Sequence, residues 1–132
     1  DSGPQVNRKE VPMAIEALWS AVFSDGENRH SAGVLAFQRN HLFGGDANYH
    51  YQGEYRETAG GIDLVLVATH FHGGRSVLAG DRDSFTLELA GEVGDDAMEL
   101  RGQLEDDPGV QVTVYLNRVA EVPGGADESR VV

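Results

Sequence analysis

The stretch Leu42–Tyr55, LFGGDANYHYQGEY, decides the fold. Gly44, Gly45 and Asp46 have the composition of a tight turn. Glycine supplies backbone freedom there, and an aspartate side chain can bond its own backbone two residues on. After the turn Tyr49, Tyr51 and Tyr55 recur at even spacing, with Gly53 in the remaining slot, while Asn48, His50, Gln52, Glu54 and Arg56 take the alternate positions. Successive strand side chains point to opposite faces, so the segment predicts a strand with an aromatic face and a polar face. Gly53 inside it predicts a bend or bulge, as a sheet needs when it curls on itself. Nothing in the stretch has the make-up of a reaction centre.

Outward toward the N-terminus, Leu42–Phe43 open one strand, His30–Phe37 form another, and Ala14–Phe23 form the first. In that first strand the row Ile15, Ala17, Trp19, Ala21 and Phe23 is the core candidate, and Ser24–Arg29 (SDGENR) is a turn-rich loop. Toward the C-terminus, Ile62–Phe71 (IDLVLVATHF) is the most hydrophobic strand, and Gly73-Gly74 closes it. Arg75–Asp83 predicts a loop. Phe85, Leu87 and Leu89 then alternate with polar neighbours, as do Met98, Leu100 and Leu104, and as do Val110, Val112, Val114 and Leu116. Residues 1–13 are expected to be a disordered leader with Met13 as the natural start, 14–122 the folded domain, and 123–132 a disordered tail. About eight short strands with no helical periodicity predict an all-β, antiparallel up-and-down barrel. A barrel of that size is either packed with side chains or holds one small ligand.

A chain of 132 residues is long enough for one domain that buries roughly two-thirds of its unfolded surface. The absence of cysteine excludes disulfides and thiolate chemistry. No apolar run approaches the roughly 20 residues of a membrane helix, so neither a membrane nor a secretory route is indicated and the cytoplasm is the default expectation. The formal charge is −12, of which −11 falls between Met13 and Val122, a segment without any lysine. Such a surface repels phosphate backbones and argues against direct DNA or RNA binding. It suits plain solubility or a basic protein partner.

Several short motifs, taken in order, resemble the GrlR-type negative regulators of type III secretion. They are Gly33-Val34-Leu35, Gly44-Gly45-Asp46, Tyr51-Gln52-Gly53, Ser76-Val77-Leu78 ahead of Phe85 and Leu87, and the closing Val114-Tyr115. The similarity runs from about Ala14 to Val122. It implies an eight-stranded, lipocalin-like barrel that dimerises and acts without catalysis, by holding a helix-turn-helix transcriptional activator off its promoter. The family's run of four acidic residues after the tyrosine strand has no counterpart; Arg56-Glu57-Thr58-Ala59-Gly60-Gly61 stands there.

The residues that could carry chemistry are few. His70-Phe71-His72 places two imidazoles on one strand face, with His41 and His50 elsewhere, but no third ligand has a diagnostic spacing, so no metal is expected. Asp81-Arg82-Asp83 and Asp95-Asp96 lack the ligand register of a calcium loop. No G-x-S-x-G elbow is present, and the paired carboxylates sit in turns, where solvent makes them poor acids at neutral pH. The expectation is a protein with no catalytic residues and no cofactor. Trp19, Tyr49, Tyr51, Tyr55, Phe85, Leu87 and Leu100 are expected to line the barrel.

Two functions follow. One is a regulatory or adaptor protein that works by protein–protein contact. The other is a carrier of an apolar or amphipathic small molecule, suggested by the eight strands and by the small residues Ala17, Ala21, Gly33, Gly53 and Gly102 on the expected inner faces. The strand Ile62–Phe71 adds a further expectation. Ile62, Leu64, Leu66 and Ala68 make one apolar row and Val65, Val67 and Phe71 another. A barrel in water needs only its inner row apolar, so the outer one calls for a cover, most economically a second copy across a two-fold axis. Val65, Val67 and Phe71 are the candidate dimer interface.

Overall fold

Period-two alternation becomes a closed ladder of strands in the computed structural model, which describes residues 15–25, 29–76, 78–80 and 82–121. The expected leader and tail lie outside the described residues. The strands are β1 (Ala17–Ser24), β2 (Arg29–Gln38), β3 (His41–Gly45), β4 (Tyr49–Thr58), β5 (Gly61–His70), β6 (Ser84–Glu92), β7 (Ala97–Leu104) and β8 (Asp107–Ala120). Each pairs antiparallel with the next, and β8 returns to β1, closing the up-and-down barrel. Closure leaves no strand at an edge along the sheet, which is how an all-β chain avoids edge-to-edge association.

The inner rows are those the alternation picks out. Trp19, Phe37, Leu42, Ile62, Leu66, Leu87, Leu100, Leu104 and Leu116 are fully buried and meet in one core. Trp19 packs edge-on against Phe37, and Phe37 in turn against Tyr55, closing one end of the barrel. At the other end the β5–β6 connection folds inward. Leu78 and Ala79 are buried there and join the same core as Phe23, Tyr49, Tyr51 and Phe85.

Several boundaries differ from the expectation, and the Ser24–Arg29 loop gives Ser24 to β1 and Arg29 to β2. β1 begins at Ala17 because its first pair is with Phe37, the last inward residue before β2 ends. Ile15 is still buried, and its carbonyl accepts the Trp19 indole N–H at 3.1 Å. β5 stops at His70, where Phe71 turns its N–H to the Asn48 carbonyl at 2.9 Å. The connection between β2 and β3 is a two-residue hairpin whose central residues, Arg39 and Asn40, have φ of 54° and 69°. Left-handed turns of that kind match the twist of the flanking strands, and Asn tolerates them well.

The register runs unbroken through Gly53 on both sides, so this glycine marks no bulge. Its reason is close approach. A Cβ at Gly53 would lie 2.0 Å from the Val65 carbonyl oxygen, and one at Gly102 would lie 1.7 Å from that of Glu88. Both glycines belong to inward-facing rows where neighbouring backbones crowd together, as a small barrel requires.

Candidate interaction surface

The residues expected to line the barrel all point into it and are buried: Trp19, Tyr49, Tyr51, Tyr55, Phe85, Leu87 and Leu100. They fill it. The cavity bounded by Phe23, Tyr49, Tyr51, Ser76, Leu78 and Phe85 has a volume of only ≈ 10 Å3, against roughly 300 Å3 or more for a small-molecule pocket.

Each tyrosine of β4 has a polar partner at its buried hydroxyl, as burial of a phenol demands. The Tyr49 hydroxyl accepts the Ser76 N–H at 2.8 Å, tying the β5–β6 connection to the barrel. Tyr51 donates to Asp46, whose other carboxylate oxygen accepts the N–H groups of Asn48 and Tyr49 at 2.8 Å each. That Asx turn carries the reversal from Asp46 to Asn48, whereas Gly44 and Gly45, expected in the turn, are paired residues of β3. Burial pushes the Tyr55 hydroxyl above its usual range, opposed by a hydrogen bond with the Asn40 backbone and reinforced by Glu16 and Glu57. Burial, and then the Glu16 carboxylate, raise Glu57 in the same way.

The outer surface is where apolar groups remain uncovered. Ile62, Leu64, Leu66 and Ala68 are the inner row of β5, so its second row faces water: Val65 is 45% exposed and Val67 half-buried, with Phe71 beyond the strand at 57%. Sequence reading found those three residues but missed their neighbours. Phe43 on β3 is 51% exposed and Val34 on β2 is 40% exposed. Phe43 stands in the five-residue β3 and Val34 in β2, and the partners of neither strand could be assigned from alternation alone.

The register shows what these residues share. One cross-strand row on the outside reads Ala36, Phe43, Gln52, Val67 and Thr86; the next reads Val34, Gly45, His50, Thr69 and Ser84. Neither row holds a carboxylate, a lysine or an arginine; His50 is the one titratable side chain in them. A third row, His41, Glu54, Val65 and Glu88, brings the first carboxylates. Between Phe43 and the β5 valines lies an open groove of ≈ 560 Å3, floored by β4. The outer face of β6 and β7 is different in kind. It carries Glu88, Glu92, Glu99 and Arg101, with Arg101 donating to Glu99 and Gln103 donating to Glu88 at 3.1 Å.

The histidines do not converge. His70 binds the Gly73 carbonyl at 2.8 Å and stacks edge-on against Tyr49, while the rings of His50 and His72 flank Phe71 at 6.2 and 6.4 Å. Among the described residues no group of three His, Cys, Asp or Glu side chains is placed to hold a metal ion. Asp83 is paired with Arg75 at 2.7 Å, and the carboxylate of Asp96 lies 3.9 Å from Arg118. No described helix is long and apolar enough to cross a membrane. Comparison with family models finds no match for the chain, and comparison with curated proteins finds no significant match.

Proposed function

We propose that this protein is a non-enzymatic regulator or adaptor that works by protein–protein contact through the outside of its barrel. The observation that carries the reading is a contrast. The interior is packed down to a ≈ 10 Å3 cavity, while Val34, Phe43, Val65 and Phe71 stay exposed on adjoining outer strands. A carrier invests its apolar surface inside; a binding module leaves it outside. The acidic surface keeps nucleic acid away and favours a partner with basic character. The motifs shared with GrlR-type regulators add the class of partner, a helix-turn-helix transcriptional activator, and a cytoplasmic homodimer as the working form.

Affinity capture from the source cells, followed by mass spectrometry, tests the reading. The expected result is a DNA-binding regulator whose promoter complex dissociates when the purified protein is added. A search that returns no reproducible partner, or a promoter complex that the protein leaves intact, would overturn it.

A further inference from the structure

We infer that a second copy of this chain docks face to face on the outer surface of β3–β5, about a two-fold axis that runs along the row Phe43, Gln52 and Val67. The inference rests on the self-association reading above and says where and how the two copies meet.

Charge selects the face. Two chains of formal charge −12 repel one another, so a stable contact must lie where carboxylates are fewest. The two outer rows through Phe43 and Gly45 have none from β2 to β6. A strongly charged partner would find only His50 to pair with in those rows. A second neutral, apolar surface fits them, and the same surface of another copy supplies one.

Symmetry then selects the axis. An axis along β4 would set Glu54 against the partner subunit's Glu54, a like-charge contact. An axis across the strands, along the Phe43–Gln52–Val67 row, sets each of those residues against its own copy. Ring meets ring, amide meets amide and valine meets valine. His50 and Glu54 lie on β4 one row to either side of Gln52. This axis therefore brings each His50 to the partner subunit's Glu54, turning the nearest carboxylate from a repulsive group into a hydrogen-bonded one. Arg56 and Asp63 pair at 2.9 Å two rows from Gln52 and Val67, and Phe71 reaches the rim over that pair of the partner subunit.

Size sets the strength. Three strands at about 4.8 Å and six residue steps of about 3.3 Å give a face roughly 14 Å by 20 Å. Two copies hide on the order of 600 Å2, below the usual range for specific interfaces, so a weak, transient dimer with a dissociation constant of about 100 µM is expected.

Sedimentation velocity on the whole chain, from about 1 to about 300 µM, provides the test. The parent should show a reversible monomer–dimer equilibrium. Phe43→Glu and Val67→Glu should each weaken it about tenfold or more while leaving the thermal unfolding cooperative. Val119→Glu, on β8 at a 56% exposed position, should leave it unchanged. His50→Glu and Glu54→His should each weaken it, and the two together should restore it to within about threefold of the parent. A monomer at every concentration would sink the self-association reading itself. A dimer indifferent to Phe43→Glu and Val67→Glu, or broken by Val119→Glu, would leave self-association standing and overturn this face. A dimer that both substitutions break but the exchanged pair does not restore would overturn this axis.

Discussion

The two walls of this barrel are built from the same alternation and end up chemically opposite. On β2–β5 two outward rows, Ala36, Phe43, Gln52 and Val67, and Val34, Gly45, His50 and Thr69, hold no carboxylate, and the next holds only Glu54. On β6 and β7 the outward residues include Glu88, Glu92, Glu99 and Arg101. Inside, both walls are equally apolar and equally buried. The fold therefore needs only the inner rows, and the outer rows are free to differ. Where one wall meets water with carboxylates and the other keeps two rows free of them around valine and phenylalanine, folding does not ask for the difference, and it is this that motivates the proposed contact.

The sharpest way to break the comparison is within β5 itself, where the inner and outer rows alternate residue by residue. Leu66→Asp places a carboxylate in the core and should cost more than about 4 kcal/mol, enough to unfold the domain. Val65→Asp, one residue away, should leave a folded barrel of nearly unchanged melting temperature. Circular dichroism melts of both variants check this, and a folded Leu66→Asp protein would mean the rows are reversed.

Next in size is Gly53→Val. With the Val65 oxygen 2.0 Å from the position of the new Cβ, backbones must separate, and the expected loss is about 3 kcal/mol. Urea denaturation with an unchanged midpoint would show that the strands can part cheaply there. A smaller effect comes from Tyr49→Phe, which removes the acceptor of the Ser76 N–H. It should destabilise by about 1 kcal/mol and speed hydrogen exchange at Ser76 ahead of the rest of the barrel.

The smallest effect depends on pH. The Glu57 carboxyl is raised above its ordinary value of 4.5 in the fold, by burial and by Glu16. Its protonated form therefore favours the folded state. That contribution is present below the unfolded value and is lost as pH rises through the folded one. Glu57→Gln should accordingly be more stable than the parent at neutral pH, with the gap closing as pH falls below 4.5. Tyr55 behaves alike at the alkaline end, raised above 10.0, so stability should fall as pH climbs past that value and Tyr55→Phe should blunt the fall. Melting temperatures collected across pH would expose either sign as mistaken.

How much was legible in advance varies by residue. The tyrosine strand, its aromatic inner face and the Asp46 turn could be read directly, because period-two spacing and turn chemistry are local. The role of Gly53 could not. A bend and a close approach leave the same glycine in a sequence, and only the Val65 oxygen tells them apart. The two apolar rows of Ile62–Phe71 were visible, but which one faces out depends on closure, since parity is symmetric until a strand acquires neighbours. Phe43 went unnoticed for a related reason. It stands in a five-residue strand, where one exposed aromatic makes no pattern, and becomes part of a surface only once β3 is set against β4 and β4 against β5. The hairpin at Arg39-Asn40 leaves no local signal, because it is a pair of left-handed residues without a glycine.

If the two outer rows of β2–β5 that lack carboxylates are the working surface, and a second copy is the partner that covers them, concentration alone should perturb them. Amide resonances recorded as the protein is concentrated test it most directly. Progressive shifts are expected at Ala36, Phe43, Gln52, Val67 and Thr69, with Glu99 and Arg101 on the opposite wall unmoved. Shifts centred on β7 and β8, or a spectrum that does not change with concentration, would contradict it.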